Sequence, residues 1–184
     1  MPIYFVTSNE NKFNEVKSIL KIDLERKDID LDEIQDIGQE KIIKHKARQA
    51  FLALKKPVLI EDTGLFIEAW NGFPGALIRW MLKTVGNEGI CKMMENEKVR
   101  NATAKTYFCL YKGKEYNVFV GEIKGKVPSK PKGKTGFGWD PIFIPQGYKK
   151  SFAEMTKEEK NAISMRAIAL KKLMQFLTTQ RKKE

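Results

Sequence analysis

Two adjacent carboxylates, Glu61 and Asp62, follow the apolar run at residues 58–60, and Thr63 and Gly64 come directly after them. The apolar run predicts a short buried strand, and burying a carboxylate is costly unless it is paired or bound to a metal. A carboxylate at the end of such a strand suits Mg²⁺, which takes one or two carboxylates and leaves its other positions to phosphate oxygens and water. Asp62 is therefore a candidate metal ligand beside a phosphorylated substrate.

A second polar segment, T-S-N-E-N-K at residues 7–12, closes the strand that residues 2–7 predict. Free amides at a helix N-terminus, small hydroxyls and Lys12 together suit a phosphate group. An ordinary cap at Asn9 with an exposed lysine explains the same residues. A phosphate near Asp62 requires a cation between the two negative charges. Glu33 is the candidate for a second metal ligand, although a solvated loop acid is the simpler interpretation of Glu33.

The segment T-G-F-G-W-D-P-I-F at residues 135–143 combines glycine, aromatic residues and a carboxylate. Phe137 and Trp139 could stack on a nucleobase, and Asp140 could accept hydrogen bonds from its edge. A turn that packs in the core explains the segment as well. The preceding residues 128–135 end like a phosphate-binding P-loop, but Pro128 stands where that motif has glycine, so we do not expect such a loop.

Strands and helices alternate along most of the chain, which favours a mixed α/β sheet. Besides the strand at residues 2–7, strands are predicted at 23–29, 57–62 and 140–145, with a hairpin within 99–127 that turns at 112–114. Helices are predicted at 9–20, 40–56, 76–86, 87–97 and from Thr156 onward. Because neighbouring strand residues face opposite sides of a sheet, we expect Glu61 to point away from Asp62 as a structural acid.

The chain is basic, with 34 lysine and arginine residues against 23 acidic residues and a formal net charge of +11. This charge favours a polyanionic partner, although lysines that only cover a solvated surface explain it equally well. Lysines are densest at residues 124–134, which we interpret as a loop. No run reaches the roughly 20 apolar residues of a membrane span, and no signal peptide is recognisable. Cys91 and Cys109 form no disulfide framework, so we expect a cytoplasmic protein with Cys109 as a buried thiol.

Seven segments, in the same order, resemble the inosine/xanthosine triphosphate pyrophosphatases. They are F-V-T-S-N-E-N-K-F-N-E-V, E-I-Q, K-A-R, E-D-T-G-L-F, G-F-P-G, F-G-W-D-P-I-F and F-A-E-M-T-K-E-E-K-N-A-I-S with an arginine two positions later. The resemblance extends from Phe5 to about Leu173 and implies a single domain over residues 1–184. Its fold would be an elongated mixed sheet flanked by helices, with two lobes around a central nucleotide-binding cleft. A homodimer is also implied.

The same resemblance implies Mg²⁺-dependent hydrolysis of nonstandard purine triphosphates (ITP, dITP, XTP) to the monophosphate and pyrophosphate. Asp62 would be the general base and, with Glu33, a ligand of Mg²⁺. The triphosphate would contact polar residues: Thr7, Ser8, Asn9, Glu10, Asn11, Lys12, Lys46 and Thr63. The base pocket would consist of Phe137, Gly138, Trp139 and Asp140. Further substrate contacts would come from Lys160, Met165 and Arg166, with a weaker one from Arg79.

Two positions depart from the pattern of that family. Met165 stands where a histidine is usual beside the purine, and methionine offers only a weakly accepting thioether. Ala76 and Leu77 replace the aromatic residue usual after G-F-P-G. Both changes concern base selectivity more than hydrolysis, so we expect activity with a reduced preference for ITP over GTP or ATP. Residues 73–82 are a candidate dimer surface, and core packing explains them too.

Two other functions are compatible with the sequence. The first is a pyrophosphohydrolase of other nucleotides with relaxed base choice, such as dUTP or methylated pyrimidine triphosphates. The second is a basic nucleic-acid-binding module that uses the lysines of residues 124–134. This second function leaves Glu33 and Asp62 unexplained, because uncompensated carboxylates repel phosphates. Nucleic acid is therefore not the expected partner.

Lys160 and Arg166 provide a geometric test of the assigned roles. On one unbroken helix the two side chains would lie about 240° apart and could not both face a small ligand. Ser164 offers a new N-cap, so we predict a helix break there, with a short helix before it and a long one after it. Thr156 and Glu159 match the capping box that would begin the short helix.

Overall fold

The computed structural model describes residues 2–181. In this part of the chain the strands are β1 (Ile3–Val6), β2 (Leu24–Lys27), β3 (Val58–Ile67), β4 (Pro74–Gly75), β5 (Asn101–Tyr111), β6 (Tyr116–Lys126) and β7 (Ile144–Pro145). The α-helices are α1 (Glu10–Leu20), α2 (Gln39–Leu54), α3 (Ile78–Thr84), α4 (Gly86–Met93), α5 (Lys157–Ile163) and α6 (Met165–Arg181). None of the described helices is long and apolar enough to cross a membrane.

The seven strands of the described chain form one mixed sheet, as the alternation of strands and helices predicts. Its order is β2-β1-β3-β5-β6-β7, and β4 pairs with β3 outside this path. β1 runs parallel to both β2 and β3, whereas β4 and β7 are antiparallel to their neighbours. The predicted hairpin of β5 and β6 is confirmed, and stacked rings of Tyr111 and Tyr116 flank its turn, 4.3 Å between centroids.

The described chain divides into two compact units, each made of separate segments. Unit 1 contains residues 2–62, 106–121 and 166–181, and unit 2 contains residues 63–105 and 122–165. The strands β3, β5 and β6 each contribute residues to both units. The expectation of two lobes around a central cleft stays a prediction.

Unit 1 has one apolar cluster on each face of its strands, because successive residues of a strand point to opposite sides. Leu59 packs in a cluster with residues of α1 and α6, and its neighbour Ile60 packs in a second cluster with residues of α2. Phe108 and Cys109 divide between the same two clusters, and both side chains are buried. Burial raises the pKa of the Cys109 thiol to about 12, which agrees with the prediction of a buried free thiol.

Unit 2 is organised around one core in which strand residues meet α3, α4 and the aromatic segment at 137–143. Leu65 and Ile67 of β3 pack there with Ile90 of α4 and with Phe143. Phe143 is fully buried and contacts Trp139 edge to face, with ring centroids 5.6 Å apart. Replacing a buried phenylalanine by alanine typically lowers the free energy of unfolding by about 3–5 kcal/mol. This aromatic group is therefore a main source of stability in the unit.

The helix ends follow the predicted capping chemistry. Asn9 caps α1, its side-chain oxygen accepting a hydrogen bond from the backbone N–H of Lys12. Thr156 and Glu159 form the predicted capping box at the start of α5. Ser164 has φ −64° and ψ 154°, so the chain leaves the helical conformation between α5 and α6. The predicted break at Ser164 is therefore confirmed.

Three local predictions were wrong. The strand predicted at 57–62 continues to Ile67, because residues 65–67 keep a strand conformation and pair with β4 after the Thr63-Gly64 step. Asp62 therefore lies in the middle of β3 and not at its end. The neighbouring strand β1 ends earlier, at Val6, and pairs only with the first residues of β3. At 140–145 only Ile144–Pro145 forms a strand, since Asp140–Ile142 is a short 3₁₀ turn. Residues 124–126 belong to β6 and not to a loop.

Candidate active site

Asp62 is held between an amide and an ammonium group from α2. Its Oδ2 accepts a hydrogen bond from Gln39 Nε2 at 3.0 Å, and its Oδ1 lies 3.9 Å from Lys46 Nζ. The Asp62 side chain is 15 % exposed. Burial raises the pKa of the Asp62 carboxyl, and the nearby charges of Lys12 and Lys46 and the Gln39 hydrogen bond only partly oppose this rise. A carboxylate in such surroundings is suited to accept a proton.

Glu33 lies close to the same group of residues. Lys46 Nζ contacts Glu33 Oε1 at 2.6 Å, so one lysine contacts the two carboxylates that the sequence proposed as metal ligands. The described residues contain no group of three or more acidic, histidine or cysteine side chains that could hold a metal. Mg²⁺ does not need three, because it commonly takes one or two carboxylates and keeps water and phosphate oxygens as its other ligands. The donors present are all oxygens, which fits this ion.

Gln39 is a contact of Asp62 that the sequence analysis missed. It is the first residue of α2, and its side chain is 3 % exposed. Residues 39, 43 and 46 recur at helical spacing, and Ile43 and Lys46 are also buried. That spacing places Gln39 on the face of α2 that carries Lys46, and it is the signal that would have identified this glutamine.

The segment at residues 7–12 forms the capped N-terminus of α1. Thr7 Oγ1 accepts a hydrogen bond from the Asn9 N–H at 3.1 Å, and Ser8, Glu10 and Asn11 are exposed. Lys12 Nζ lies 3.5 Å from Glu61 Oε2, and the Lys12 side chain is partly exposed. The ordinary capping role of Asn9 is thus present, and the predicted phosphate contacts stay predictions.

Glu61 belongs to a buried ionic group around Arg166. Arg166, the second residue of α6, is 1 % exposed, and its guanidinium contacts Glu61 Oε1 at 3.2 Å as well as Glu15 Oε2. Burial lowers the pKa of Arg166, but the carboxylates of Glu61 and Glu15 raise it more, so the guanidinium stays charged. Glu61 is a structural acid, as its position next to Asp62 predicted, whereas a substrate contact of Arg166 is untested.

Within unit 2, Asp140 and Lys160 form a buried ion pair that organises the aromatic segment. Lys160 Nζ lies 2.7 Å from Asp140 Oδ2, and each side chain is 5 % exposed. The same carboxylate oxygen accepts a hydrogen bond from the Phe137 N–H at 2.8 Å, and the Lys160 ammonium lies 4.7 Å from the Phe137 ring centroid. Gly136 permits this geometry, because a Cβ there would lie 2.3 Å from Asp140 Oδ2.

The remaining predicted base-pocket residues differ in exposure. Trp139 is buried in the core of unit 2, Phe137 is partly buried, and Gly138 is exposed with φ +63°. The Gly138 carbonyl accepts a hydrogen bond from Asn87 Nδ2 at 2.9 Å. The two interpretations of this segment therefore each fit part of it, since Trp139 packs in the core and Phe137 is only partly buried.

The other predicted contacts lie in varied surroundings. Met165 is 2 % exposed and belongs to the core of unit 2. Thr63 follows Asp62 in β3 and is partly buried. The Arg79 guanidinium lies 6.0 Å from the Trp80 ring centroid.

Part of the lysine-rich stretch lines a groove of about 600 Å³ in unit 2. Lys124 and Lys126 of β6 share this groove with Lys105 of β5 and with Tyr148. Lys105 Nζ lies 3.2 Å from Glu122 Oε2, which offsets some of the positive charge. If the protein instead bound nucleic acid through these lysines, this groove would be the binding surface.

The sequence model of the Ham1 family matches residues 3–176. Among curated proteins, the chain is 42 % identical over 181 residues to a dITP/XTP pyrophosphatase of Methanopyrus kandleri, covering 96 % of each chain. It is 44 % identical over 189 residues to an inosine triphosphate pyrophosphatase of Saccharomyces cerevisiae, covering 95 % of each. Among solved structures, a HAM1 protein from Coxiella burnetii superposes with a TM-score of 0.86 at 28 % identity, covering 97 % of this chain and 99 % of that one.

Proposed function

The chain belongs to the Ham1 family, and we propose that it hydrolyses nonstandard purine nucleoside triphosphates to the monophosphate and pyrophosphate. The observation that carries this proposal is the arrangement around Asp62. Its carboxylate has a raised pKa and lies beside Lys46, which also contacts Glu33. Relatives about 40 % identical over nearly the whole chain are named dITP/XTP pyrophosphatase or inosine triphosphate pyrophosphatase.

Asp62 acts as the general base in the proposed reaction. A water oxygen forms a bond to the α-phosphorus while one of the water protons moves to the Asp62 carboxylate. The bond between the α-phosphorus and the bridging oxygen breaks, and pyrophosphate leaves with the electron pair. A carboxylate whose pKa is raised by burial is a stronger base than an exposed one, which favours this proton transfer. Lys12 and Lys46 supply positive charge for the triphosphate oxygens.

Glu33 and Asp62 are the residues that would hold Mg²⁺ in this proposal. When bound, the ion would neutralise charge on the phosphate oxygens and on the departing pyrophosphate. The support is the chemistry of the donor set, in which two carboxylates from separate segments share the contact with Lys46.

The aromatic segment of unit 2 would recognise the base. Phe137 offers part of its ring for stacking, and the Asp140–Lys160 pair fixes the backbone on either side of Gly138. Thr7, Ser8 and the amides at the start of α1 would contact the triphosphate. These roles rest on the resemblance of the segments and on the exposure of the residues.

Relaxed base choice is a second candidate, favoured by the environment of Met165. This residue replaces the usual histidine and is buried in the core of unit 2, where its thioether cannot donate a hydrogen bond to a purine. A site that loses a directed hydrogen bond discriminates less between bases. We therefore expect turnover of GTP or ATP to be closer to that of ITP than in relatives with histidine.

A homodimer and a cytoplasmic location complete the proposal. Phe73 and Trp80 are large apolar side chains that are about half exposed, and both lie in the segment 73–82 proposed as a dimer surface. A dimer that covers these two side chains would remove their apolar surface from water. Cys91 and Cys109 are free thiols, which is usual in a reducing compartment.

The decisive experiment measures pyrophosphate release from ITP, XTP, dUTP and ATP, each with and without Mg²⁺. We expect rapid release from ITP and XTP that requires Mg²⁺. Release from pyrimidine nucleotides alone would overturn the purine assignment. Salt-sensitive binding to DNA or RNA without turnover would instead support the nucleic-acid alternative.

A further inference from the structure

Gln39 combines two features that are rarely found together in a buried glutamine. Its Nε2 donates a hydrogen bond to Asp62 Oδ2 at 3.0 Å, whereas its Oε1 is buried and has no hydrogen-bond partner within the described residues. The residue is 3 % exposed. Buried polar atoms in folded proteins nearly always have a partner, and an exception indicates an ordered water, an ion or a functional role.

The assignment of the two amide atoms follows from chemistry. An ionised carboxylate only accepts hydrogen bonds, so the atom that faces Asp62 must be the amide nitrogen. A reversed amide would place two acceptors against each other at 3.0 Å. The atom left without a partner is therefore the oxygen, an acceptor close to the proposed general base.

We propose that Gln39 is a positioning residue for the attacking water. This inference rests on the proposed function and names a further residue of the same site. One O–H of the water donates to Gln39 Oε1, and the other donates to Asp62. As the water oxygen bonds to the α-phosphorus, the proton directed at Asp62 transfers to it, and pyrophosphate leaves with the electron pair of the broken bond.

The one amide group of Gln39 orients both the general base and the water. Nε2 fixes the rotation of the Asp62 carboxylate, and Oε1 holds the second proton of the water. With both protons held, by Asp62 and by Gln39, a lone pair of the water oxygen is directed at the α-phosphorus. A glutamine has the same task in GTPases, where it orients the attacking water. Positioning of this kind contributes to the rate and little to substrate affinity.

The test compares the parent protein with Gln39→Met, which keeps the length and unbranched shape of the side chain and removes both hydrogen bonds. Gln175→Leu is the matched control, because Gln175 is an exposed glutamine of α6. Four quantities are measured for each protein: kcat for ITP, KM for ITP, the thermal midpoint of unfolding without nucleotide, and the affinity for Mn²⁺ by calorimetry.

We expect Gln39→Met to lower kcat about 10- to 100-fold, the range usual for residues that orient a group of the site, while KM changes less than threefold. Its thermal midpoint should stay close to that of the parent, because the removal of a buried acceptor without a partner offsets the loss of the hydrogen bond to Asp62. Its Mn²⁺ affinity should stay within threefold, and Gln175→Leu should match the parent in all four quantities.

Three results would overturn the inference. An unchanged kcat would show that the water needs no contact from Gln39. A lowered midpoint together with equal losses in kcat and affinity would mean that Gln39 only supports the fold. A loss of Mn²⁺ affinity beyond tenfold, with kcat restored at saturating Mn²⁺, would mean that Gln39 acts only by orienting Asp62 as a metal ligand and not on the water. If the parent protein releases no pyrophosphate from ITP, the proposed function fails, and this result is distinct from all three.

Discussion

Glu61 and Asp62 are consecutive residues of β3, yet their carboxylates contact separate sets of partners. Glu61 binds Arg166 and lies 3.5 Å from Lys12, and its side chain is fully buried. Asp62 accepts from Gln39 and lies near Lys46, with part of its side chain exposed. The alternation of side chains along a strand separates the two acids. Substitutions of Glu61 should therefore mainly affect stability, and substitutions of Asp62 should mainly affect activity.

Asp62→Asn is expected to lower kcat by about 10²–10⁴-fold, the usual contribution of a general base. Asparagine keeps the shape of the side chain and its contact with Gln39 but cannot take a proton at neutral pH. Pyrophosphate release and circular dichroism, measured on the same preparation, check the loss of rate against retention of the fold. Full activity in this variant would remove Asp62 from the mechanism.

The pH dependence of the reaction should reflect the raised pKa of Asp62. Because burial favours the protonated form, the base becomes neutral at a higher pH than an exposed aspartate, and kcat/KM should fall about tenfold per pH unit below its apparent pKa. Asp62→Asn should abolish this acid limb in the residual rate. A profile that stays flat down to the ordinary pKa of aspartate would contradict the assignment.

The same shift makes a statement about stability. A raised carboxyl pKa means that the native state binds this proton more tightly, so the stabilisation it contributes is present at low pH and is lost as pH rises through the folded pKa. Asp62→Asn should therefore be at least as stable as the parent at pH 7, and the difference should shrink towards pH 4. Urea unfolding at the two pH values measures it.

Glu61→Gln should destabilise the protein by about 3 kcal/mol, because removing one partner of a buried ion pair leaves the other partner incompletely compensated. The carboxylates of Glu61 and Glu15 both raise the pKa of Arg166, and in this variant the carboxylate of Glu15 would remain. Urea denaturation gives the change in the free energy of unfolding. A stability equal to that of the parent would show that the guanidinium does not depend on Glu61.

The Asp140–Lys160 pair should show strong coupling in a double-mutant cycle. Either Asp140→Asn or Lys160→Met alone should cost about 3–5 kcal/mol, because each leaves one buried charge, whereas the double variant should recover much of this loss. Additive single losses would contradict coupling. Tryptophan fluorescence follows the local effect, since Trp139 immediately precedes Asp140.

Met165→His tests the cause of relaxed base choice. If the missing imidazole explains it, the ratio of kcat/KM for ITP to that for GTP should increase up to about tenfold, which corresponds to the net free energy of a single hydrogen bond. Thermal unfolding serves as the control, because the residue is buried in the core of unit 2. Comparable turnover of ITP and an unchanged ratio would show that the ring is irrelevant.

Local sequence rules predicted those features of the fold that depend on contacts between residues close in sequence. The break at Ser164 and the caps at Asn9 and Thr156 depend on residues within one helical turn and were confirmed. The length of β3 was misjudged because Thr63 and Gly64 resemble a turn, while pairing with β4 extends the strand. Such pairing joins Leu65 to Gly75 and Phe66 to Pro74, and it leaves no pattern within β3 itself.

The candidate site shows the same division. Asp62 and Glu33 could be proposed from residue type, and the structure places both against Lys46. Gln39 was missed because a polar residue at the start of a helix is usually solvated, whereas here it is buried and donates to Asp62 of β3. Trp139 was proposed for the base and packs largely in the core, since aromatic residues serve both purposes and residue type does not distinguish them.

The composition of unit 1 has a consequence for biosynthesis. Ala169, Leu170 and Leu173 of α6 are fully buried in the same cluster as Phe5 of β1, so β1 can complete its core only after α6, which lies far behind it in the chain, has been translated. Both segments of unit 2, residues 63–105 and 122–165, are synthesised before these buried residues of α6. The nascent chain must therefore keep the apolar surface of its amino-terminal strands from aggregating throughout translation, and chaperone dependence should concentrate there.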